Sequence, residues 1–250
     1  VVPAATAPLT LGAGAGEHAG RDVILATVLP LGWPAMVRGD GTVFVGLQVA
    51  GRSGDSSRDV AAAMLDALQE QPGSAVMTAG RPGDGPRLQD VLADAPFDVT
   101  VHTGFDFWVE DVPDPDGEIA ASLERANATV VPTTRLTTVD AAYWCQIGAK
   151  EHLRWVMPED EGAVLDALAR LQSAGELGLG AETRYVGAFR AHGLLVPVWD
   201  LAQGHGAEAL EEPASAFRQK LDDALADDRP LDTDARRARA GLIGRQVTLR

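Results

Sequence analysis

The chain has 250 residues, a net charge of −15 and 46% hydrophobic residues. That length can bury one large core or two of about 100 residues each, while the acidity excludes bulk attraction to nucleic acid or an anionic membrane. A single cysteine, Cys145, excludes an internal disulfide, and the absence of an apolar run of about 18 residues or of a charged start leading into an apolar stretch predicts a cytoplasmic protein without a membrane span.

Residues 1–21 are rich in Ala, Gly, Thr and Pro and read as a loose lead-in; the opening Val1-Val2-Pro3 points to trimming or to a segment upstream. A first α+β unit follows over 22–116. Asp22–Leu29 and Pro34–Arg38 read as strands, and Gly39-Asp40-Gly41 as a tight hairpin turn into a strand over Thr42–Val49. Asp55, Ser56 or Ser57 can cap a helix that runs to about Gln71 and carries Val60, Met64, Leu65 and Leu68. Leu88, Val91 and Leu92 then recur at helical spacing, Phe97, Val99 and Val101 alternate as a strand, and His102–Val109 reads as a further one. Asp111–Gly117, rich in Pro and Asp, reads as a linker.

The second unit, 117–228, is read as a repetition of the first at an offset near 100 residues. Thr129–Thr138, Tyr143–Ile147 and Glu151–Met157 match the three strands, and a helix with Val164, Leu165, Leu168 and Leu171 shares Leu-Asp-Ala-Leu with the first. Tyr185, Ala188 and Phe189 match the short helix, and Leu194, Val196 and Val198 the last strand. The predicted fold is therefore α+β, a tandem duplication of a βββααβ-like unit with antiparallel or mixed sheets and helices on one face. Residues 229–250 form an Arg-rich tail, with a short helix capped by Asp232 or Thr233 and an edge strand over Gln246–Leu249.

No motif commits the chain to a chemistry. His18, His102, His152, His192 and His205 are scattered without metal-ligand spacing, so no metal is predicted. The Gly12-to-Gly16 run follows no strand, and no P-loop lysine or nucleophile elbow occurs, so no cofactor is predicted. If Leu153 and Trp155 face a core, His152 and Arg154 project from the opposite face, where Trp144 or Cys145 can stand beside them. Catalytic candidates are accordingly His152, Arg154, Glu159, His192 and Cys145, although Glu159, Asp160 and Glu161 also suit the first turn of a helix. Tyr143, Trp144, Trp155, Arg190, Trp199 and Asp200 form the aromatic and polar set that differs between the two units, and they are the candidate binding residues.

Several segments carry a resemblance: Ser53-Gly54-Asp55 with Ser57-Arg58-Asp59, Gly85-to-Leu92, Ser122-to-Ala128, Phe189-to-Leu201, and the ending Gly244-Arg245-Gln246-Val247-Thr248-Leu249-Arg250. Over nearly its whole length the chain resembles an actinobacterial family classed as a domain of unknown function. The resemblance implies a bacterial cytosolic protein and transfers no catalytic residue. The leading expectation is a non-enzymatic binding or adaptor module that uses the aromatic-rich face of the second unit for a protein partner or a second copy. The alternatives are a small-molecule enzyme with a cleft between the units, and association with RNA or the ribosome through tail residues Arg236, Arg237 and Arg239.

Overall fold

The computed structural model describes residues 4–49, 53–77, 83–109, 114, 116–244 and 246–248, with the side chains of 246–248 left aside. Much of the expected linker, at 111–113 and 115, and the last two residues of the tail lie outside that set. The chain forms two compact units, Val2–Val130 and Val131–Arg250.

In the first unit a six-stranded mixed sheet has the order β5-β3-β4-β2-β1-β6, built from β1 (Ala5–Thr10), β2 (Asp22–Val28), β3 (Ala35–Val37), β4 (Val43–Gln48), β5 (Ala75–Val76) and β6 (Thr100–Val101). β2 and β4 run parallel, and the other pairings are antiparallel. The predicted hairpin forms: the Gly41 N–H donates to the Arg38 carbonyl at 2.8 Å, and Gly41 takes a φ of 88° that suits glycine. Helix α1 (Ser56–Ala67) is capped by Asp55, which accepts from the Arg58 N–H at 3.3 Å. It buries Val60, Ala61, Ala63, Met64 and Ala67 in the cluster that also holds Val43 and Val45 of β4.

Three expectations for this unit are corrected. The supposed lead-in contains β1, where Ala5, Ala7 and Leu9 are buried at alternate positions. Small residues and Thr disguise that period of two. Pro8 is accommodated because β6 pairs only with Ala5 and Thr6, so the strand is an edge where the missing N–H would count. The Gly12 and Gly14 positions are close-approach sites: a Cβ would meet the Leu92 carbonyl oxygen at 2.7 Å and the Asp90 carbonyl oxygen at 1.9 Å, at the end of the short helix α2 (Leu88–Val91). Finally, 102–109 is not a strand. It makes one helical turn, Asp106–Trp108, whose Phe107 and Trp108 pack with Phe44, Met36 and Leu29 on the sheet face opposite α1. Phe105 stacks on Trp108 at 4.3 Å, and the Trp108 indole donates to the Val28 carbonyl at 3.0 Å. Helix α3 (Glu118–Asn127) falls within this unit, beyond the boundary at 116 that composition suggested, and Asn127 accepts from the Phe105 N–H at 2.7 Å.

The second unit's sheet has the order β12-β10-β11-β9-β8-β7, comprising β7 (Thr133–Arg135), β8 (Ala142–Ile147), β9 (Lys150–Trp155), β10 (Arg184–Ala191), β11 (Leu194–Leu201) and β12 (Gln246–Thr248). It is antiparallel except for β12, which adds to β10 in parallel as the predicted edge. Helices α4 (Glu161–Ser173), α5 (Glu211–Leu225) and α6 (Thr233–Ile243) contribute Leu165, Leu168, Phe217, Leu221 and Leu242 to one core with Leu153, Trp155 and Trp199. The tail is thus part of the unit, tied on by the buried Leu242 and by an Arg239–Asp166 ion pair between α6 and α4.

Tyr185, Ala188 and Phe189 lie on strand β10, not on a helix. The register shifts between Tyr185 and Gly187, a bulge that inserts one residue, so Tyr185 and Ala188 both enter the core although three positions apart. The bulge imitates helical spacing. The units share the succession hairpin then helix, β3–β4–α1 and β8–β9–α4. Their strand orders differ, since β2 pairs with β4 whereas β7 pairs with β8.

Candidate functional site

The pleat of the second sheet separates the expected site residues onto two faces. Register pairs Ala142 with Trp155, Trp144 with Leu153, and Leu153 with Trp199, which sets Trp144, Trp155 and Trp199 on the helix side. There Trp155 and Trp199 are core residues rather than a ligand-facing surface. Both are fully buried, with Trp199 5.4 Å from Phe217 and 5.5 Å from Tyr185, ring centre to ring centre. Their indoles donate to the Asp140 carbonyl at 2.9 Å and the Leu177 carbonyl at 2.8 Å. Three helices need a large apolar counterpart, and these rings supply it.

The charged candidates on the helix side also have structural partners. Arg190 grips Glu161 at 2.5 and 2.6 Å, joining β10 to the first turn of α4. Arg218 of α5 donates to Glu159 at 2.7 Å, and Asp160 caps α4 by accepting from the Ala163 N–H at 3.0 Å. His192 occupies the β10–β11 turn with a φ of 50°, followed by Gly193 at 83°, a pair suited to a tight hairpin. His152, Arg154, Glu159 and His192 therefore share no one sheet face.

On the opposite face the register assembles two rows. One runs Thr133, Cys145, His152, Asp200, Arg184; the other runs Arg135, Tyr143, Arg154, Val198. His152 Nδ1 lies 3.0 Å from Asp200 Oδ1, and because a carboxylate only accepts, Nδ1 carries the proton. Arg184 donates to the other Asp200 oxygen at 3.0 Å. Side-chain exposure falls from 78% at Arg184 through 34% at Asp200 to 17% at His152, and Cys145 beyond is buried. Exposure therefore falls along the row from Arg184 to Cys145.

Burial pushes the Cys145 thiol pKa up, with the Arg154 charge opposing it only in part. No hydrogen bond joins the thiol to His152 among the described residues. A raised pKa and no base make Cys145 a small buried apolar residue, not an activated nucleophile. Burial likewise raises the Tyr143 phenol, against the charge of Arg135. Arg154 is half-buried, and among the described residues it has no hydrogen-bond or ion-pair partner. Its neighbours across the strands are Tyr143 and Val198.

Two carboxylates that fix loops, Glu151 buried and Glu211 half-buried, escaped sequence reasoning. Glu151, the one polar or charged residue in the buried set among the described residues, accepts from the Gly204 N–H at 2.5 Å, the Gly206 N–H at 2.9 Å and the Trp144 indole at 2.8 Å. Burial raises its pKa, but these donors outweigh burial and hold it below the ordinary value. Glu211 does the same for the turn after β7, accepting from the backbone of Thr137 at 3.0 Å and Thr138 at 2.9 Å, with the same net lowering. The Gly204-His205-Gly206 spacing was the available signal for the first of these. Both fix loops and leave no oxygen for a ligand.

A model described as a family of unknown function, DUF5926, matches residues 1–250. The chain belongs to that family. No curated protein and no solved structure matches it. For this DUF5926 member the two rows on the second sheet are the candidate site, and Arg184 and Arg135 join it only through strand pairing. Among the described residues no cluster of three or more His, Cys, Asp or Glu could hold a metal, and no helix is long and apolar enough to cross a membrane. Of the tail arginines, Arg239 pairs with Asp166, Arg237 with Asp234 at 3.2 Å, and Arg236 donates to the Leu231 carbonyl at 2.5 Å.

Proposed function

We propose that this protein is a binding module of the bacterial, actinobacterial cytosol, and that its ligand seats on the polar face of the second sheet, over Arg154, Tyr143, His152, Asp200 and Arg184. The observation that carries this reading is Arg154, a half-buried guanidinium without a partner among the described residues. None of its nitrogens is among the buried unpartnered side-chain atoms, so water meets the guanidinium in the free chain, and an anionic occupant would replace that water with charge-assisted hydrogen bonds. The reading keeps the second unit as the binding unit and moves the seat from its Trp-rich face to the reverse.

The test is ligand enrichment. Full-length protein and its Arg154→Ala variant are each incubated with a bacterial metabolite extract, separated by size, and the bound compounds compared by mass spectrometry. A compound retained by the parent and absent from the variant supports the reading. Identical enrichment, with the variant folded by circular dichroism, counts against it.

A further inference from the structure

We infer that the seat beside Arg154 is built for an oxyanion, the phosphate or carboxylate group of a small molecule, held by the Arg154 guanidinium with Arg135 and the Tyr143 hydroxyl as its neighbours. This rests on the seat proposed above and names the chemistry of its occupant.

The first argument is the treatment of the other arginines. Arg135, Arg170, Arg190, Arg218 and Arg239 are the remaining half-buried arginines of the second unit among the described residues, and each faces a carboxylate: Asp140, Asp227, Glu161, Glu159 and Asp166 in turn. In a chain with 36 acidic and 21 basic residues, carboxylates are in ample supply. Arg154 is the exception, with a phenol on one side and a valine on the other. Its five donors form a planar fork that matches the oxygen pairs of carboxylate and phosphate.

Local charge gives the second argument. The two rows contain Arg135, Arg154 and Arg184 against one acid within them, Asp200, already bound to His152 and Arg184. Arg135 is held only loosely, 3.8 Å from an Asp140 that is itself fully exposed, so it is free to turn toward an incoming anion. A cationic ligand would meet like charge here, and a purely apolar one would leave the guanidinium unsatisfied. A fixed positive field within an acidic surface also favours a small anion over a large acidic partner, which the rest of the molecule repels.

The test uses the full chain. Arginine side-chain Nε–Hε resonances are followed by NMR while inorganic phosphate, succinate or chloride is added at matched ionic strength, and affinity is measured in parallel by calorimetry. Saturable movement of the Arg154 resonance with phosphate or with succinate, but not with chloride, is expected, and whichever anion acts identifies the group recognised. Arg154→Lys keeps the charge and loses the fork, so its affinity is expected to fall by about tenfold or more. Arg237→Ala, at an exposed position of α6, is expected to bind like the parent. Movement that does not saturate, equal effects of chloride, or equal affinity of Arg154→Lys and the parent overturns the inference. If an extract compound is retained in an Arg154-dependent way while neither anion binds, the seat stands and its oxyanion chemistry falls. If neither is seen, both fall.

Discussion

Replacing Trp199 by alanine separates a core ring from a ligand-facing one. The side chain is fully exposed to neither solvent nor ligand: it is buried, bounded by Trp155 at 6.4 Å, Tyr185 at 5.5 Å and Phe217 at 5.4 Å, and its indole donates to the Leu177 carbonyl. Truncating a ring in such a site costs about 3–5 kcal/mol from lost transfer energy and the cavity left behind. The Leu177 carbonyl loses its donor, which adds about 1–3 kcal/mol where water cannot enter; the two contributions overlap, so about 4 kcal/mol is a fair central value. With a urea dependence near 2 kcal/mol per molar, the midpoint of the second unit falls by about 2 M. Trp199→Phe retains most ring contacts and loses the donor, so it is expected to lie between parent and alanine variant. The assay is urea unfolding followed by circular dichroism and fluorescence together, because two units need not unfold as one. An alanine variant whose urea midpoint stays within about 0.25 M of the parent, about 0.5 kcal/mol at that slope, would refute the packing argument.

Other expectations follow from the same geometry. Gly14→Ala forces a Cβ into the Asp90 carbonyl, so the first unit loses about 1–3 kcal/mol while the second keeps its urea midpoint. Glu151 and Glu211 have carboxyl pKa values held below the ordinary range by their donors. Depressed folded-state values mean that their contribution is fully present above an unfolded carboxylate pKa of about 4.3 and is lost as pH falls through the lower folded values. In Glu151→Gln that acid-dependent loss should be visibly smaller in urea midpoints measured between about pH 6 and pH 3. Cys145 is buried with a raised thiol pKa, so iodoacetamide should label it only when urea unfolds the second unit; rapid labelling of the native chain at neutral pH would contradict its burial.

What could be read in the sequence divides along physical lines. Helices α1 and α4 were legible because Asp55 and Asp160 cap runs with clear helical spacing, and the β3–β4 hairpin because Gly39-Asp40-Gly41 has turn chemistry. β1 was hidden by small residues, and β10 by a bulge that gave Tyr185 and Ala188 a helical interval. The face of His152 and Arg154 opposite Leu153 followed from strand alternation, but alternation left either Trp144 or Cys145 as their neighbour, and the β8–β9 register decides for Cys145 and sends Trp144 to the other face. Arg184 and Arg135 could not be placed there, because register between strands far apart in sequence is set by the folded sheet. The tryptophans misled for a different reason: a large amphipathic ring serves a core as readily as a ligand, and only burial distinguishes the two.

The most direct test of the account is an NMR map of the full chain in the presence of bacterial metabolite extract. The account predicts shifts at the Arg154 side chain and at the amides of Cys145, His152 and Val198, with the indole signals of Trp155 and Trp199 unmoved. Shifts concentrated on those indoles, on α6 or on the first unit, with the Arg154 face unchanged, would contradict it.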